Sequence, residues 1–255
     1  MAALADALVR ADERIIAIAG AGGKTSLMFA LAHELRERGE RVITTTTTRI
    51  RVPERQQSEN LVLRSDGGCR DRLEDGLAQT GHVTLAEQRL PGDKLQGIDC
   101  ATLAAIFAAS SADRLIVEAD GARTLPLKAP GEGEPVVPIE TDLFIAMIGL
   151  DALGLPLTEE HVFRPERVAA LTGQAPGSII TVQTIARLAV HPGGLLKGCP
   201  ETARSALFLN KTDIPQGREK AEAIIKLVRS MAGNGPDAWL VGSVGQQRYT
   251  FFSLA

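Results

Sequence analysis

Short apolar runs alternate with amphipathic stretches along most of the chain. Arg14–Ala19 (RIIAIA) is a β-branched run of the kind buried on both faces of a parallel sheet. Gly20–Gly23 breaks it. Thr25–Arg38 then carries Leu27, Met28, Ala30, Leu31 and Leu35 at helical spacing, and Gly39 is a stop signal. Arg41–Thr46 (RVITTT) reads as the next strand. The same reading gives a short leading helix at Leu4–Arg10 and strands at Asn60–Arg64, His82–Leu85, Arg114–Glu118, Leu143–Gly149, Ala206–Leu209 and Ala238–Val241. It gives further helices near Asp71–Ala78, Thr102–Ala109, Pro165–Leu171, Thr181–Ala189 and Arg218–Met231. Arg51–Asn60 is polar and reads as a mobile loop.

Strands alternating with helices predict βαβ units and a mostly parallel sheet. The expected architecture is a single α/β domain over residues 1–255, a P-loop NTPase-like three-layer fold. A Pro/Gly-rich loop is inserted around 121–138, where four of the thirteen prolines fall and a helix is excluded.

Composition narrows the partners. With 28 basic and 31 acidic residues the net charge is −3, which argues against nucleic acid, because phosphate neutralisation needs a basic surface. No apolar run reaches the roughly 18 residues of a membrane span. The start, MAALADALVRADER, lacks a basic segment leading into an apolar one, so no signal peptide is read. Cys69, Cys100 and Cys199 are scattered and match no zinc or disulfide spacing, which suits reduced thiols in the cytoplasm.

The sharpest local signal is Gly20-Ala-Gly-Gly-Lys-Thr-Ser26 between a strand and a helix. Phosphate needs close backbone N–H donors, and Gly20, Gly22 and Gly23 let the chain wrap that tightly. The N-terminus of the following helix favours an anion. Lys24 would supply charge to the β- and γ-phosphates, while Thr25 and Ser26 complete the nucleotide-binding turn and the Thr25 hydroxyl joins a Mg²⁺ shell. The common GxxxxGK[ST] pattern fails, since Ile18 stands where its first glycine belongs. The spacing is GxxGKT, as in Mur-type peptide ligases. The dinucleotide pattern GxGxxG fails at Thr25.

Downstream, RLIVEADG places Glu118 and Asp120 at the end of an apolar strand, where a Mg²⁺ ligand or water-positioning acid belongs. Asp120 is the expected catalytic acid beside Lys24. Thr44–Thr48 either reflects strand propensity or offers hydroxyls to a phosphate or metal. FLNKTD (Phe208–Asp213) is the NKxD pattern of guanine recognition. Asp213 would accept the two guanine donors, Asn210 would contact the other edge and tie the loop, and the Lys211 stem would cover the ring. Ser243, in VGSVG, is a further base-side candidate. GTP is therefore expected over ATP.

The chain also resembles the YqeC-type accessory proteins of selenium-dependent molybdenum hydroxylases (selenium cofactor biosynthesis). The resemblance is carried by GAGGKTSL, TTTTTRI, DKLQGID, VEADGARTLPLKAPGEGEPVVP, IGLDALGLPL with HVFRPE, HPGGLLKG and LFLNKTD, in order over residues 20–213. It implies a nucleotide-binding factor whose partner is an apo molybdenum hydroxylase or its cofactor-handling proteins. More loosely, the motif order is similar to that of metallochaperone GTPases. Beside this, Arg123 and Lys128 of the Pro-rich loop, with Lys94 and Arg164, are candidate contacts for a small anionic substrate, and Glu132 and Glu134 would orient them. His161 reads as structural.

Three functions fit. One is a slow Mg²⁺-dependent GTPase whose Thr44–Arg55 loop switches. Another is a transferase or ligase that activates a small anion. The third is a nucleotide-sensing scaffold without catalysis.

Overall fold

The computed structural model describes residues 3–231 and 235–253. Along the chain run β1 (Ile15–Gly20), β2 (Val42–Thr46), β3 (Arg49–Arg51), β4 (Leu61–Leu63), β5 (His82–Ala86), β6 (Gln88–Leu90) and β7 (Lys94–Gln96). They are followed by β8 (Arg114–Glu118), β9 (Leu127–Lys128), β10 (Leu143–Gly149), β11 (Val162–Phe163), β12 (Arg204–Asn210), β13 (Ala238–Ser243) and β14 (Arg248–Ser253). The helices are α1 (Leu4–Leu8), α2 (Lys24–Glu37), α3 (Cys69–Thr80), α4 (Cys100–Ala108), α5 (Pro165–Thr172), α6 (Val182–Val190) and α7 (Gly217–Ser230).

Nine strands form one sheet in the order β14-β13-β12-β10-β1-β8-β2-β5-β4. Every pairing is parallel except β13 with β14. The fold is thus the expected α/β architecture with a mostly parallel sheet. Its two faces are covered by different helices. Ile16 and Ile18 of β1 join a core with Leu27, Met28, Leu31 and Leu35 of α2. The alternate residues Ala17 and Ala19 join the core containing Val168 of α5, Ile185 of α6 and Ile224 of α7. Ile15 packs with Leu73 of α3 and Leu103 of α4 on that same side.

Right-handed crossovers explain the division. From β1 the chain passes through α2 to β2, stepping over β8. From β10 it passes through α5 and α6 to β12, in the opposite direction along the sheet. The connections part between β1 and β10, and open α/β sheets bind ligands at the C-terminal ends of strands at such a point. The glycine loop lies there.

The long strands and helices fall where the apolar periodicity places them, within a few residues. The short elements do not. The meander β3-β7-β6, the pair β9–β11 and the edge strand β14 are absent from the sequence reading. Ala238–Val241 is therefore not the last strand, and Ser243 ends β13 ahead of a hairpin to β14. Among the described residues, no helix is long and apolar enough to cross a membrane.

The hydroxyls of Thr44 to Thr47 are engaged within the protein. Thr44 Oγ1 lies 2.9 Å from His82 Nε2 and from Thr84 Oγ1. Thr45 donates to Leu85 O and Thr46 to Glu118 O, both at 2.8 Å, and Thr47 donates to Val136 O at 2.7 Å. Contacts to neighbouring strands and to the Pro-rich loop therefore engage as donors the Thr45, Thr46 and Thr47 hydroxyls that a phosphate would need.

Burial, aided by the charges of Arg36 and His33, lowers the His82 pKa from 6.5 to about 4. A base whose folded pKa is depressed takes up its proton on unfolding. Stability from this group is full above pH 6.5 and falls as pH drops toward 4, by up to about 3 kcal/mol. Urea unfolding at pH 7, 5.5 and 4.5 should show this decline, and His82→Gln should flatten it. An identical slope in the variant would refute the assignment.

Candidate functional site

The loop from Gly20 to Gly23 is built against the ends of β10 and β12. Gly20, Gly22 and Gly23 all have positive φ, at +97, +82 and +123 degrees. A Cβ on Gly20 would lie 2.3 Å from Met147 O, and one on Gly22 would lie 2.1 Å from Gly149 N. Both conformation and space therefore require glycine. Gly22→Ala should cost about 3 kcal/mol or more, since the backbone it strikes belongs to a central strand. Urea unfolding would measure this, and a loss below about 1 kcal/mol would contradict the packing described.

The donors of the loop divide into two sets. Gly20 N donates to both carboxylate oxygens of Asp120 at 3.1 Å, Ala21 N to Met147 O at 2.8 Å and Gly22 N to Leu125 O at 3.1 Å. These bonds fix the loop. Among the described residues, the N–H groups of Gly23, Lys24, Thr25 and Ser26 have no protein acceptor. They are the four orphan donors that every α-helix leaves at its start, here at the first turn of α2.

Charged side chains converge beside them. Lys24, 5% exposed, donates to Gly20 O at 2.8 Å and lies 3.3 Å from Asp120 and 3.6 Å from Glu118. Thr25 Oγ1 donates to Glu118 Oε2 at 2.7 Å. Burial raises the Glu118 pKa, opposed by the Lys24 charge and the Thr25 hydrogen bond, while the neighbouring Asp120 adds to the rise.

Asp120, read from the sequence as a catalytic or metal-binding acid, is wholly buried. It is engaged by Gly20 N, by Lys24 and by Lys128 Nζ at 2.8 Å. In this arrangement it ties the glycine loop to the two lysines. Lys128, also wholly buried, further contacts Glu134 Oε2 and Gly121 O, each at 2.7 Å. Glu134 in turn receives Arg164 through both oxygens, at 2.6 and 3.0 Å. Burial pushes the Glu134 pKa up, but the bonds from Arg164 and Lys128 outweigh it and bring it down to about 2. The charges of Lys128 and Arg164, both read as anion contacts, are thus paired within the protein. Lys94 lies exposed on β7, in a different sheet from the Pro-rich loop. Arg123 is exposed on that loop.

The donor set suits magnesium. Mg²⁺ takes one or two protein oxygens and completes its shell with phosphates and water. Thr25 Oγ1 and Glu118 are such a pair, next to the orphan N–H groups. Among the described residues, no group of three or more His, Cys, Asp or Glu forms a self-sufficient cage, so a cation here would be shared with a ligand.

The NKTD segment reaches the same region. Asn210 Nδ2 donates to Gly22 O at 2.8 Å, and Asn210 Oδ1 accepts from Val244 N at 3.0 Å. Asn210 therefore joins the glycine loop to the β13–β14 turn. Lys211, at φ +67, pairs with Asp151 at 2.6 Å. Asp151 follows β10 and was not singled out in the sequence. Its signal is faint, an acid two residues after the glycine that touches Gly22. Asp213 is exposed. Ser243 is buried, and its Oγ accepts from Gln246 N at 3.4 Å.

A family model described as YqeC protein matches residues 16–166. A protein of Escherichia coli strain K12 described as uncharacterized protein YqeC is 33% identical over 204 residues, covering 77% of this chain and 75% of its own length. Among solved structures, the signal recognition particle receptor FtsY of Elizabethkingia anophelis in complex with GDP aligns at a TM-score of 0.30 and 13% identity, over 85% of this chain and 46% of that one. A second FtsY structure from the same organism gives the same score and identity, over 87% of this chain and 49% of that one. This chain spans about half the length of those receptors.

Proposed function

This chain belongs to the YqeC family, and we propose that it binds a nucleoside triphosphate with Mg²⁺, hydrolyses it slowly, and serves as an accessory factor in maturing or loading a selenium-dependent molybdenum hydroxylase. The observation that carries the nucleotide reading is the set of four unaccepted N–H groups from Gly23 to Ser26, with Lys24 and the Thr25–Glu118 pair beside them. The N–H groups and helix dipole receive phosphate oxygens, and Lys24 neutralises their charge. Thr25 and Glu118 hold the Mg²⁺, which supplies further charge neutralisation when bound. The accessory role is carried by family resemblance rather than by geometry.

GTP is the proposed nucleotide. Asn210 fixes the start of the NKTD turn against the glycine loop, and Asp213 presents an exposed carboxylate three residues on. One carboxylate accepts both donors on the guanine edge, a pair that adenine lacks. Calorimetric titration with GTP and ATP, with and without Mg²⁺, tests this. Wild type should prefer GTP in the presence of Mg²⁺. Asp213→Asn should lose that preference by about tenfold or more, the worth of a charged hydrogen bond. Tighter binding of ATP by wild type would remove the guanine reading and leave the phosphate reading standing.

A further inference from the structure

The Pro-rich loop presents one cation that the internal ion pairs leave over. The half-exposed ring of Phe163 has Arg164 at 4.4 Å, Arg123 at 5.0 Å and Lys128 at 5.5 Å from its centroid. Lys128 is engaged by Asp120 and Glu134, and Arg164 by Glu134. Among the described residues, no carboxylate pairs with Arg123. Arg164 uses two of its five N–H donors on Glu134 and keeps the others.

The backbone holds these guanidiniums deliberately. Arg123, Thr124 and Arg164 have φ of 49, 63 and 64 degrees, a conformation that non-glycine residues rarely adopt and that concentrates at functional sites. The loop is also tied to the proposed nucleotide site. Leu125 O, two residues from Arg123, accepts from Gly22 N at 3.1 Å, and Pro126 O accepts from Gly149 N at 2.8 Å. Arg164, Glu134, Lys128, Asp120 and Lys24 form an unbroken chain of alternating charge that ends on the glycine loop.

We propose that Arg123, Phe163 and Arg164 form a second binding site, for a small molecule bearing a phosphate or carboxylate, adjoining the nucleotide site. Guanidinium N–H pairs match either oxyanion, and the aromatic ring fixes the fork. The coupling of this site to the nucleotide rests on the reading of the glycine loop given above, whereas anion binding at Arg123 does not. Coupling is reciprocal, so occupancy at Arg123 changes nucleotide affinity by the same factor that nucleotide changes anion affinity.

The test uses the full chain carrying Lys24→Ala, which weakens anion binding at the glycine loop, titrated with inorganic phosphate and separately with acetate while the Nε–H signals of Arg123 and Arg164, which report on the Arg123 site alone, are followed by NMR. At least one anion should give saturable shifts of Arg123 and Arg164, and which of them does so identifies the phosphate or the carboxylate class. Adding Arg123→Ala, a change at an exposed side chain, should weaken that binding about tenfold or more. Shifts from neither anion, or saturation unchanged by Arg123→Ala, would overturn the site. Anion binding at Arg123 in a wild-type protein that takes no nucleotide would keep this site and remove the nucleotide reading.

Discussion

Lys128→Met should unfold at a much lower urea concentration than wild type, with a loss of about 3–5 kcal/mol. Lys128 is wholly buried, and its ammonium is satisfied by Asp120, Glu134 and the Gly121 carbonyl. Methionine fills most of the stem volume, so packing is largely retained and the effect isolates the charge. Asp120 would then keep Lys24 at 3.3 Å and the Gly20 N–H, but would lose its closer cation inside a site with no exposure. Removing one partner of a buried pair leaves the other uncompensated, which is why the cost exceeds the net worth of the pair. Glu134 keeps Arg164, so most of the damage falls on Asp120 and on the glycine loop that it holds. A loss below about 1 kcal/mol would show that Lys128 does not anchor this network.

Lys24→Ala should abolish measurable hydrolysis of GTP in Mg²⁺ and weaken nucleotide binding about a hundredfold, the scale of two charge-assisted contacts. The protein should stay folded. Lys128 remains to balance Asp120, and Glu118, whose pKa burial already raises, can take a proton once the lysine is gone. Phosphate release from the purified variant, beside its urea midpoint, separates lost binding from lost fold. Turnover equal to wild type would remove the assigned role of Lys24.

The sequence exposes the frame of this site more clearly than its wiring. The strand, glycine loop and helix at 15–37 are legible because β-branched burial, the glycine break and the helical spacing coincide. Glu118 and Asn210 are legible because apolar strands end on them. The fate of Asp120 is not. Two residues after Glu118 it reads as a second metal acid, and only the fold brings Lys128 to 2.8 Å from it. Pairings of the same kind take up the charge of Lys128 and two donors of Arg164, and leave Arg123 as the cation with no carboxylate partner among the described residues. The threonine run is ambiguous in sequence because one hydroxyl serves a phosphate or a neighbouring strand equally well. Its partners, His82, Leu85 and Val136, lie far away in the chain. Two- and three-residue strands such as β6, β7 and β9 are too short for a period to show. β14 follows a turn that reads as the end of the sheet.

The central claim is that the glycine loop, Glu118 and the NKTD turn serve one nucleotide. A crystal structure of the protein with a non-hydrolysable GTP analogue and Mg²⁺ tests it most directly. The terminal phosphates should accept from the Gly23–Ser26 N–H groups, with Mg²⁺ on Thr25 and Glu118 and the guanine edge on Asp213. An analogue seated elsewhere, with those N–H groups still unaccepted, would contradict it.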